Sequence, residues 1–222
     1  MAELAGRGWS STREEVQTAD VVLLRHGDTR LTPERRFSGV GRRDPGLSAA
    51  GRDQARQAAG SAVLRGRPFT EILSSPMIRC QETAAIVAAA LGVSVSIDQN
   101  LREMDFGLWE EMTIDEVQER YPEDLQRWKQ SAWAPPTGSS ETFAAVIDRM
   151  RTAAERFASR YAGVSVVAVT HVTPVKALVA DALGAPPSAL FRMELSSACM
   201  SRITYTGGEA CVRLLNDTSH LQ

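Results

Sequence analysis

The chain has 222 residues and a formal net charge of −2, with 43% hydrophobic and 23% charged residues. These proportions are typical of globular proteins and exclude a disordered or collagen-like chain. The near-neutral charge balance argues against a general nucleic-acid binder, which has a marked basic excess. The 25 basic residues divide into 23 Arg and 2 Lys, a bias that we attribute to genomic base composition.

Hydropathy and cysteine spacing bear on the expected cellular location of the protein. No apolar run approaches the roughly 20 residues that span a bilayer, and the first residues lack the apolar stretch of a signal peptide. Cys80, Cys199 and Cys211 are widely spaced and contain no CxxC pair, so neither a disulfide framework nor a zinc site is predicted. We therefore expect a cytoplasmic protein with no membrane partner and no nucleic-acid partner.

The first half of the chain starts with a polar segment, residues 1–18, which we predict to be a flexible leader or linker. One domain is expected over residues 19–222, beginning with a buried strand at Asp20–Arg25. Ser48 is predicted to cap a helix that runs to about Arg65. Two strands and a helix should follow: Phe69–Leu73, a helix with Pro76 in its first turn and Gly92 at its end, and Val93–Ile97.

In the second half of the chain, predicted strands and helices continue to alternate. Its predicted elements are an acidic helical stretch from Leu101 to Trp133 broken at Pro122, a helix at Glu141–Tyr161, a strand at Val164–Thr170, a helix at Pro174–Leu183, and strands at Arg192–Tyr205 and Ala210–Leu215. Alternating strands and helices predict a three-layer α/β/α sandwich with a mostly parallel central sheet. Ligands of such sheets bind at the carboxyl ends of the strands.

Two histidines follow predicted strands at this edge. His26 comes after the first strand and His171 after the strand at Val164–Thr170. Arg25 precedes His26, and Arg79 lies just beyond a third strand end. Alone, each histidine would more often be structural, and Arg79 would equally suit an exposed helix face. Together, because guanidinium groups are rigid and permanently charged donors, the four residues predict an oxyanion pocket.

Charge is concentrated around the first of these histidines. The stretch Arg25–Arg43 holds six arginines against Asp28 and Glu34, an excess of four positive charges in a chain whose total is −2. This excess favours a small anionic substrate.

Several sequence blocks then occur in a characteristic order. They are Leu23–Thr29, Arg36–Gly39, Leu47–Ala55, Ser74–Ala84, Leu101–Glu110 and Val169–His171. These blocks resemble the histidine phosphatase superfamily, also called the phosphoglycerate mutase-like family, and the resemblance covers nearly all of residues 20–217. Several blocks that occur in the order typical of the family identify it far more specifically than a single Arg-His-Gly motif does.

The resemblance implies a role for each candidate residue. His26 is the nucleophile that forms a phosphohistidine, and Arg25, Arg79 and His171 bind the transferring phosphoryl group. Glu103 donates a proton to the leaving oxygen and then acts as the base for water. Fixed side-chain cations supply the charge stabilisation, so the resemblance implies no metal and no cofactor. Without its flanking motif, Glu103 would be one more surface acid.

Supporting residues are expected around this group. Ser38 and Gly39 match a loop that contacts phosphate in the family, and Thr29 braces it, although a turn-forming role suits each equally well. The sequence departs from the family at two positions, where Glu111 and Val172 stand in place of glycine. At residue 172 the backbone amide, and not the side chain, would contact phosphate. Neither change removes a proposed catalytic side chain, so we expect both to affect mainly the shape of the substrate mouth.

Within the family, the chain has Glu103-Met-Asp-Phe-Gly107 where the mutases resemble Glu-Arg-His-Tyr-Gly, and it lacks their longer insertion. It is most similar to the α-ribazole phosphatase-like domain that follows a ribonuclease HI domain in actinobacterial proteins; residues 1–18 would then be a shortened leader or a linker remnant. We therefore predict a phosphomonoesterase acting on a small phosphorylated substrate, either α-ribazole 5′-phosphate or a broad range of esters.

Three alternatives stay open at this point. The first is a phosphoglycerate mutase or sugar bisphosphatase, and the second is a non-catalytic module that binds phosphate ligands. The third, an RNA-binding accessory domain, is disfavoured by the charge balance. The oligomeric state is also open, with a homodimer as one possibility.

Overall fold

The computed structural model describes residues 17–41 and 43–222. Its centre is a six-stranded sheet with strand order β3-β2-β4-β1-β5-β6. The strands are β1 (Thr18–Arg25), β2 (Glu71–Ser74), β3 (Ser94–Ile97), β4 (Ser165–Thr170), β5 (Met200–Thr206) and β6 (Glu209–Asp217). Strands β3, β2, β4 and β1 are parallel to one another, whereas β5 is antiparallel to both β1 and β6. The predicted α/β fold with a mostly parallel sheet is confirmed.

Helices cover both faces of this sheet. They are α1 (Ala49–Ala59), α2 (Ala62–Arg65), α3 (Ile78–Leu91), α4 (Ile114–Arg120), α5 (Pro122–Gln130), α6 (Phe143–Arg160) and α7 (Val172–Ala182), with 3₁₀ turns at Gln99–Leu101, Gly107–Trp109, Pro187–Arg192 and Ser219–Leu221. Among the residues described here, no helix is both long and apolar enough to cross a membrane.

The central strands are apolar along their length because both of their faces are covered. In β1, Val21 and Leu23 point into a core cluster that includes Phe157 of α6, whereas Val22 and Leu24 point into a second cluster with the α3 side chains. Alternate residues of one strand thus enter opposite layers. This alternation explains why the three-layer arrangement follows from a continuous apolar run.

Local signals set several helix ends. The Ser48 side chain accepts a hydrogen bond from the Gly51 N–H at the start of α1, as predicted. Gly92 ends α3 in the left-handed conformation with φ of 70°, which glycine adopts without a Cβ penalty.

The structure corrects four predicted elements. The first predicted helix is two helices, because Ser61 caps α2 by accepting from the Leu64 N–H directly after α1 ends. Pro76 precedes α3, whose N-cap is Met77. Residues 102–113 are mostly loop, since Gly107 and Glu111 have positive φ, and the strand predicted from Arg192 begins only at Met200. Residues 1–16 of the predicted leader lie outside the described residues, and Thr18 already belongs to β1.

A close glycine contact fixes α1 against the loop after β1. A Cβ added at Gly51 would lie 2.1 Å from the Asp28 carbonyl oxygen, and one added at Gly27 would lie 2.3 Å from the Gly51 carbonyl oxygen. The Asp28 N–H also donates to Gln54 Oε1 at 2.8 Å. Helix α1 therefore sets the position of the residues that follow β1.

We expect Gly51→Ala to lower the free energy of unfolding by about 1–3 kcal/mol, because the new methyl group overpacks a backbone contact. Urea unfolding measures the loss. Gly60→Ala is the matched control at the end of the same helix, since its Cβ would make only an ordinary 3.4 Å contact and its φ is −84°. Equal stability of the two variants would contradict the proposed constraint.

Candidate active site

His26 lies immediately after β1, at the carboxyl edge of the parallel strands. Its backbone N–H donates to the Thr170 carbonyl oxygen at 3.0 Å. Its Nδ1 lies 2.7 Å from the Gly27 carbonyl oxygen, a contact that assigns the ring proton to Nδ1. Nε2 is then unprotonated and accepts a hydrogen bond from Arg79 Nε at 3.3 Å. Burial, together with the charges of Arg79 and Arg25, holds the pKa of His26 well below its usual range.

His171 lies beside His26, between β4 and α7. The two ring centroids are 5.1 Å apart, with an interplanar angle of 65°. Nε2 of His171 lies 2.7 Å from Ser75 Oγ and 3.3 Å from Cys80 Sγ. Burial first, and then Arg79 and His26, keep the pKa of His171 well below that of a free histidine. Both imidazoles are therefore neutral near pH 7.

Arg79 lies in the first turn of α3 and its side chain is fully buried. Its Nη2 donates to the carbonyl oxygens of Ser38 and Gly39 at 2.9 and 3.1 Å, and its Nη1 lies 3.2 Å from Asp44 Oδ1. A buried charge is stable only when it is paired and hydrogen-bonded. These contacts exclude an exposed position and place the guanidinium directly behind His26.

Arg25 is the second cation at this edge. Its Nη1 donates to the Leu195 carbonyl oxygen at 2.6 Å, while its Nε is buried without a hydrogen-bond partner in the described part of the chain. Burial lowers the pKa of Arg25 from its ordinary value, but an arginine stays charged in proteins. Arg25 therefore presents a fixed positive charge with unused hydrogen-bonding capacity.

Glu103 supplies a carboxyl group to the same site. It is buried, its Oε1 accepts from the Met104 N–H at 2.8 Å, and its Oε2 accepts from the Thr173 N–H at 3.3 Å. Burial raises the pKa of Glu103, and the hydrogen bonds from Met104 and Thr173 oppose this effect only in part. A surface location is thus excluded, and the group is suited to donate a proton.

A cavity of 560 Å³ opens over these groups. Six of the nine predicted site residues line it: Arg25, His26, Thr29, Ser38, Glu103 and Val172. Arg79 and His171 are fully buried and contact His26. The structure therefore brings the five predicted catalytic residues, from four separate segments of the chain, together at one cavity.

The three supporting residues of the loop after β1 differ in what they offer. The Thr29 hydroxyl accepts from the Leu31 N–H at 3.2 Å, so it stabilises a local turn. Ser38 Oγ is buried without a partner among the described residues. The Gly39 N–H already donates to both carboxylate oxygens of Glu110, at 3.1 and 2.9 Å. Ser38 is thus the one of these three whose side chain has hydrogen-bonding capacity left.

Glu110 is a residue whose role the sequence analysis missed. Besides Gly39, it accepts from the Gly41 N–H at 3.2 Å and the Phe106 N–H at 3.4 Å. Burial raises its pKa. Glu110 therefore joins the loop at residues 37–41 to the loop that carries Glu103. The sequence signal that could have identified Glu110 is its position directly after Trp109, in the block Leu101–Glu110 that carries the family resemblance. Lys176 of α7 also lines the cavity and was missed.

The two departures from the family pattern, Glu111 and Val172, differ in position, and of the two only Val172 lines the cavity. Glu111 has φ of 64°, which explains why glycine is usual there. Its N–H donates to the Phe37 carbonyl oxygen at 2.9 Å, and its carboxylate pairs with Arg30 at 2.8 Å. Val172 is the first residue of α7 and lines the cavity. Helix-initial N–H groups lack intrahelical acceptors, so its amide suits an anion.

We expect Glu111→Gly to be more stable than Glu111→Ala by about 1 kcal/mol, because both lose the exposed ion pairs but only alanine retains the left-handed strain. Thermal and urea unfolding of the two variants measure this difference. Equal stabilities would show that the backbone strain at residue 111 is negligible.

Comparisons with known proteins identify related sequences and structures over most of the chain. The sequence model described as Histidine phosphatase superfamily (branch 1) matches residues 21–218. Bifunctional protein Rv2228c of Mycobacterium tuberculosis is 40% identical over 215 residues, which cover 96% of this chain and 57% of that protein. The chain thus spans little more than half the length of this relative.

Two further proteins are similar over most of both chains. Phosphoserine phosphatase 1 of Hydrogenobacter thermophilus is 31% identical over 201 residues, 90% of this chain and 93% of that protein. The crystal structure of a putative alpha-ribazole-5′-P phosphatase from Escherichia coli superposes with a TM-score of 0.78 and 28% identity, covering 89% of this chain and 96% of that one. The predicted resemblance and the predicted class of enzyme, a phosphatase, are confirmed at the level of the family. The chain belongs to the histidine phosphatase superfamily.

Proposed function

We propose that the chain is a metal-independent phosphomonoesterase that works through a phosphohistidine on His26. The observation that carries this proposal is that His26, whose Nε2 lies within hydrogen-bond distance of Arg79 Nε, and the buried carboxyl group of Glu103 line the same cavity. The depressed pKa of His26 keeps the nucleophile available, and the raised pKa of Glu103 keeps an acid available. Groups whose environments push their pKa values apart are typical of acid and nucleophile roles.

In the first half-reaction, the Nε2 lone pair of His26 attacks the phosphorus atom. The bond between phosphorus and the ester oxygen breaks, and the proton of Glu103 goes to that oxygen as the alcohol leaves. In the second half-reaction, the Glu103 carboxylate takes a proton from water, whose oxygen attacks phosphorus. The N–P bond then breaks, its electron pair returns to Nε2, and inorganic phosphate leaves. Dividing hydrolysis into two transfers lowers the barrier of each.

The arginines supply the electrostatic part of the mechanism. Charge in a phosphoryl-transfer transition state spreads over the three equatorial oxygens. Arg79 is already held by the Ser38 and Gly39 carbonyls, and Arg25 by the Leu195 carbonyl. Cations that are positioned before the reaction starts cost no reorganisation during it. The two arginines therefore supply the positive charge that the transition state needs, and the proposed mechanism requires no metal ion.

As the physiological substrate we propose α-ribazole 5′-phosphate, with a broad acid phosphatase activity as the alternative. The similarity to the Escherichia coli structure supports the first, at 28% identity. The similarity to the phosphoserine phosphatase of Hydrogenobacter thermophilus supports testing phosphoserine alongside it. Measuring phosphate release from α-ribazole 5′-phosphate, phosphoserine, phosphoglycerates and sugar phosphates ranks these compounds as substrates. Isomerised product without free phosphate would indicate a mutase.

We further propose that residues 19–222 form one phosphatase domain. Strand β1 near the start of this range and β6 near its end belong to the same sheet, joined through β5. The longer mycobacterial relative would contain this domain as one of its parts.

Rapid-quench experiments with a radiolabelled phosphomonoester test the chemistry. The unmodified chain should form an acid-labile phosphoenzyme, and His26→Ala should form none and hydrolyse the ester at the uncatalysed rate. His220→Ala is the matched control, because His220 does not line the cavity and should leave the phosphoenzyme intact. Full activity of His26→Ala would overturn the proposal.

The pH dependence of kcat/KM tests Glu103. Because the pKa of His26 is lowered and that of Glu103 is raised, activity should persist on the acidic side and fall as pH rises through the Glu103 pKa. Glu103→Gln should remove this alkaline limb and reduce the rate with an alkyl ester by about 10²–10⁴. With para-nitrophenyl phosphate, whose leaving group needs little protonation, the loss should be much smaller. Equal losses with both esters would contradict the acid role.

A further inference from the structure

The cavity is much larger than a phosphoryl group requires. Its 560 Å³ falls within the roughly 300–1,000 Å³ of pockets that enclose drug-sized ligands. In the proposed reaction the phosphoryl group would occupy the part of the cavity next to Arg25, His26 and Glu103, which we call the phosphoryl end. The remaining space is available to the alcohol part of the substrate, so its lining selects among phosphomonoesters.

Aromatic side chains are concentrated along this remaining space. Four of the six phenylalanines of the chain, and one tryptophan, line the cavity. They are Phe37, Phe106, Trp128, Phe143 and Phe191, which we call the aromatic wall. These residues come from five separate segments of the chain, so tertiary packing alone brings them together.

The aromatic wall is formed before any ligand enters. Trp128 and Phe143 have ring centroids 4.7 Å apart, and Phe191 meets both nearly edge-on, at 5.2 and 5.3 Å. Edge-to-face contacts at these distances are favourable for aromatic rings. Trp128 and Phe143 are buried, whereas Phe191 is 43% exposed. An apolar group that entered the cavity would remove part of the Phe191 ring from water, which favours binding.

The cations that line the cavity differ in their surroundings. Arg36 is engaged by Glu34 and Glu116 at 2.8 and 2.7 Å. Lys176 is partly buried, and burial lowers its pKa, which the charges of Glu103 and Glu194 oppose only in part. Of the cations that line the cavity outside the phosphoryl end, Arg35 is the exposed one. A carboxylate on the leaving alcohol would lie against aromatic rings, where the loss of its hydration costs free energy unless a cation or hydrogen bond compensates.

We propose that the aromatic wall is a subsite for a planar apolar ring in the alcohol part of the substrate, with Phe191 as a specificity-determining residue. The substrate class is then phosphomonoesters of ring-bearing alcohols. This inference rests on the proposed phosphomonoesterase activity and extends it from the reacting phosphoryl group to the leaving group.

Phenethyl phosphate and ethyl phosphate test the subsite, because both are esters of primary alcohols and differ in the ring. The unmodified chain should hydrolyse phenethyl phosphate with a kcat/KM at least about tenfold higher, a typical contribution of an apolar pocket contact, and the difference should lie in KM. Phe191→Ala should remove most of this ratio, and Phe191→Tyr should restore it. Trp133→Ala is the control, since Trp133 is an exposed ring that does not line this cavity, and it should leave the ratio unchanged.

The outcomes separate the two proposals. Hydrolysis of both esters with equal kcat/KM, or a preference for phosphoserine over phenethyl phosphate, would overturn the subsite while leaving the phosphomonoesterase intact. An equal drop of the ratio in Phe191→Ala and Trp133→Ala would also overturn it. Failure to hydrolyse any ester would count against the proposed function itself.

Discussion

The arrangement of the site depends on the buried guanidinium of Arg79. It contacts His26 Nε2, the Ser38 and Gly39 carbonyls and the Asp44 carboxylate. Removing such a charge from water is costly unless every donor is used, so the loops around Arg79 must supply acceptors at fixed positions. The same contacts orient His26 and place the loop at residues 38–39 over it. One ion pair and three hydrogen bonds thus link α3 to both the proposed nucleophile and the loop at residues 38–39.

Burial then shifts the titratable groups in the directions that phosphoryl transfer requires. Desolvation disfavours the charged form of any group, so it lowers the pKa of His26 and His171 and raises that of Glu103. Arg79 and Arg25 add to the effect on the histidines, because like charges repel a second proton. Burial and the two permanent cations therefore favour a neutral His26, and burial raises the pKa of Glu103 although Arg79 partly opposes it.

The loops beside the cavity come from segments that are far apart in the chain. Glu110 accepts hydrogen bonds from Gly39, Gly41 and Phe106, which joins the loop after β1 to the loop that carries Glu103. Next to it, Glu111 takes up the left-handed conformation and pairs with Arg30. Exposed ion pairs contribute little to stability, so the backbone strain at Glu111 is balanced mainly by the surrounding loop contacts. Contacts between distant loops thus fix the backbone next to Ser38 and Phe106, which line the cavity.

The sequence by itself determined the central strands and the phosphoryl end of the site. Continuous apolar runs identified β1 and β4, local caps identified Ser48 and Gly92, and the residues after strand ends identified His26 and His171, because these signals depend only on neighbours in the chain. Tertiary structure decided the break after α1, the late start of β5, the role of Glu110 and the convergence of Phe37, Trp128 and Phe191. Those features depend on contacts between segments that are distant in the chain. The free energies of such contacts are comparable to local helix and strand propensities, and the contacts leave no periodic pattern in the sequence.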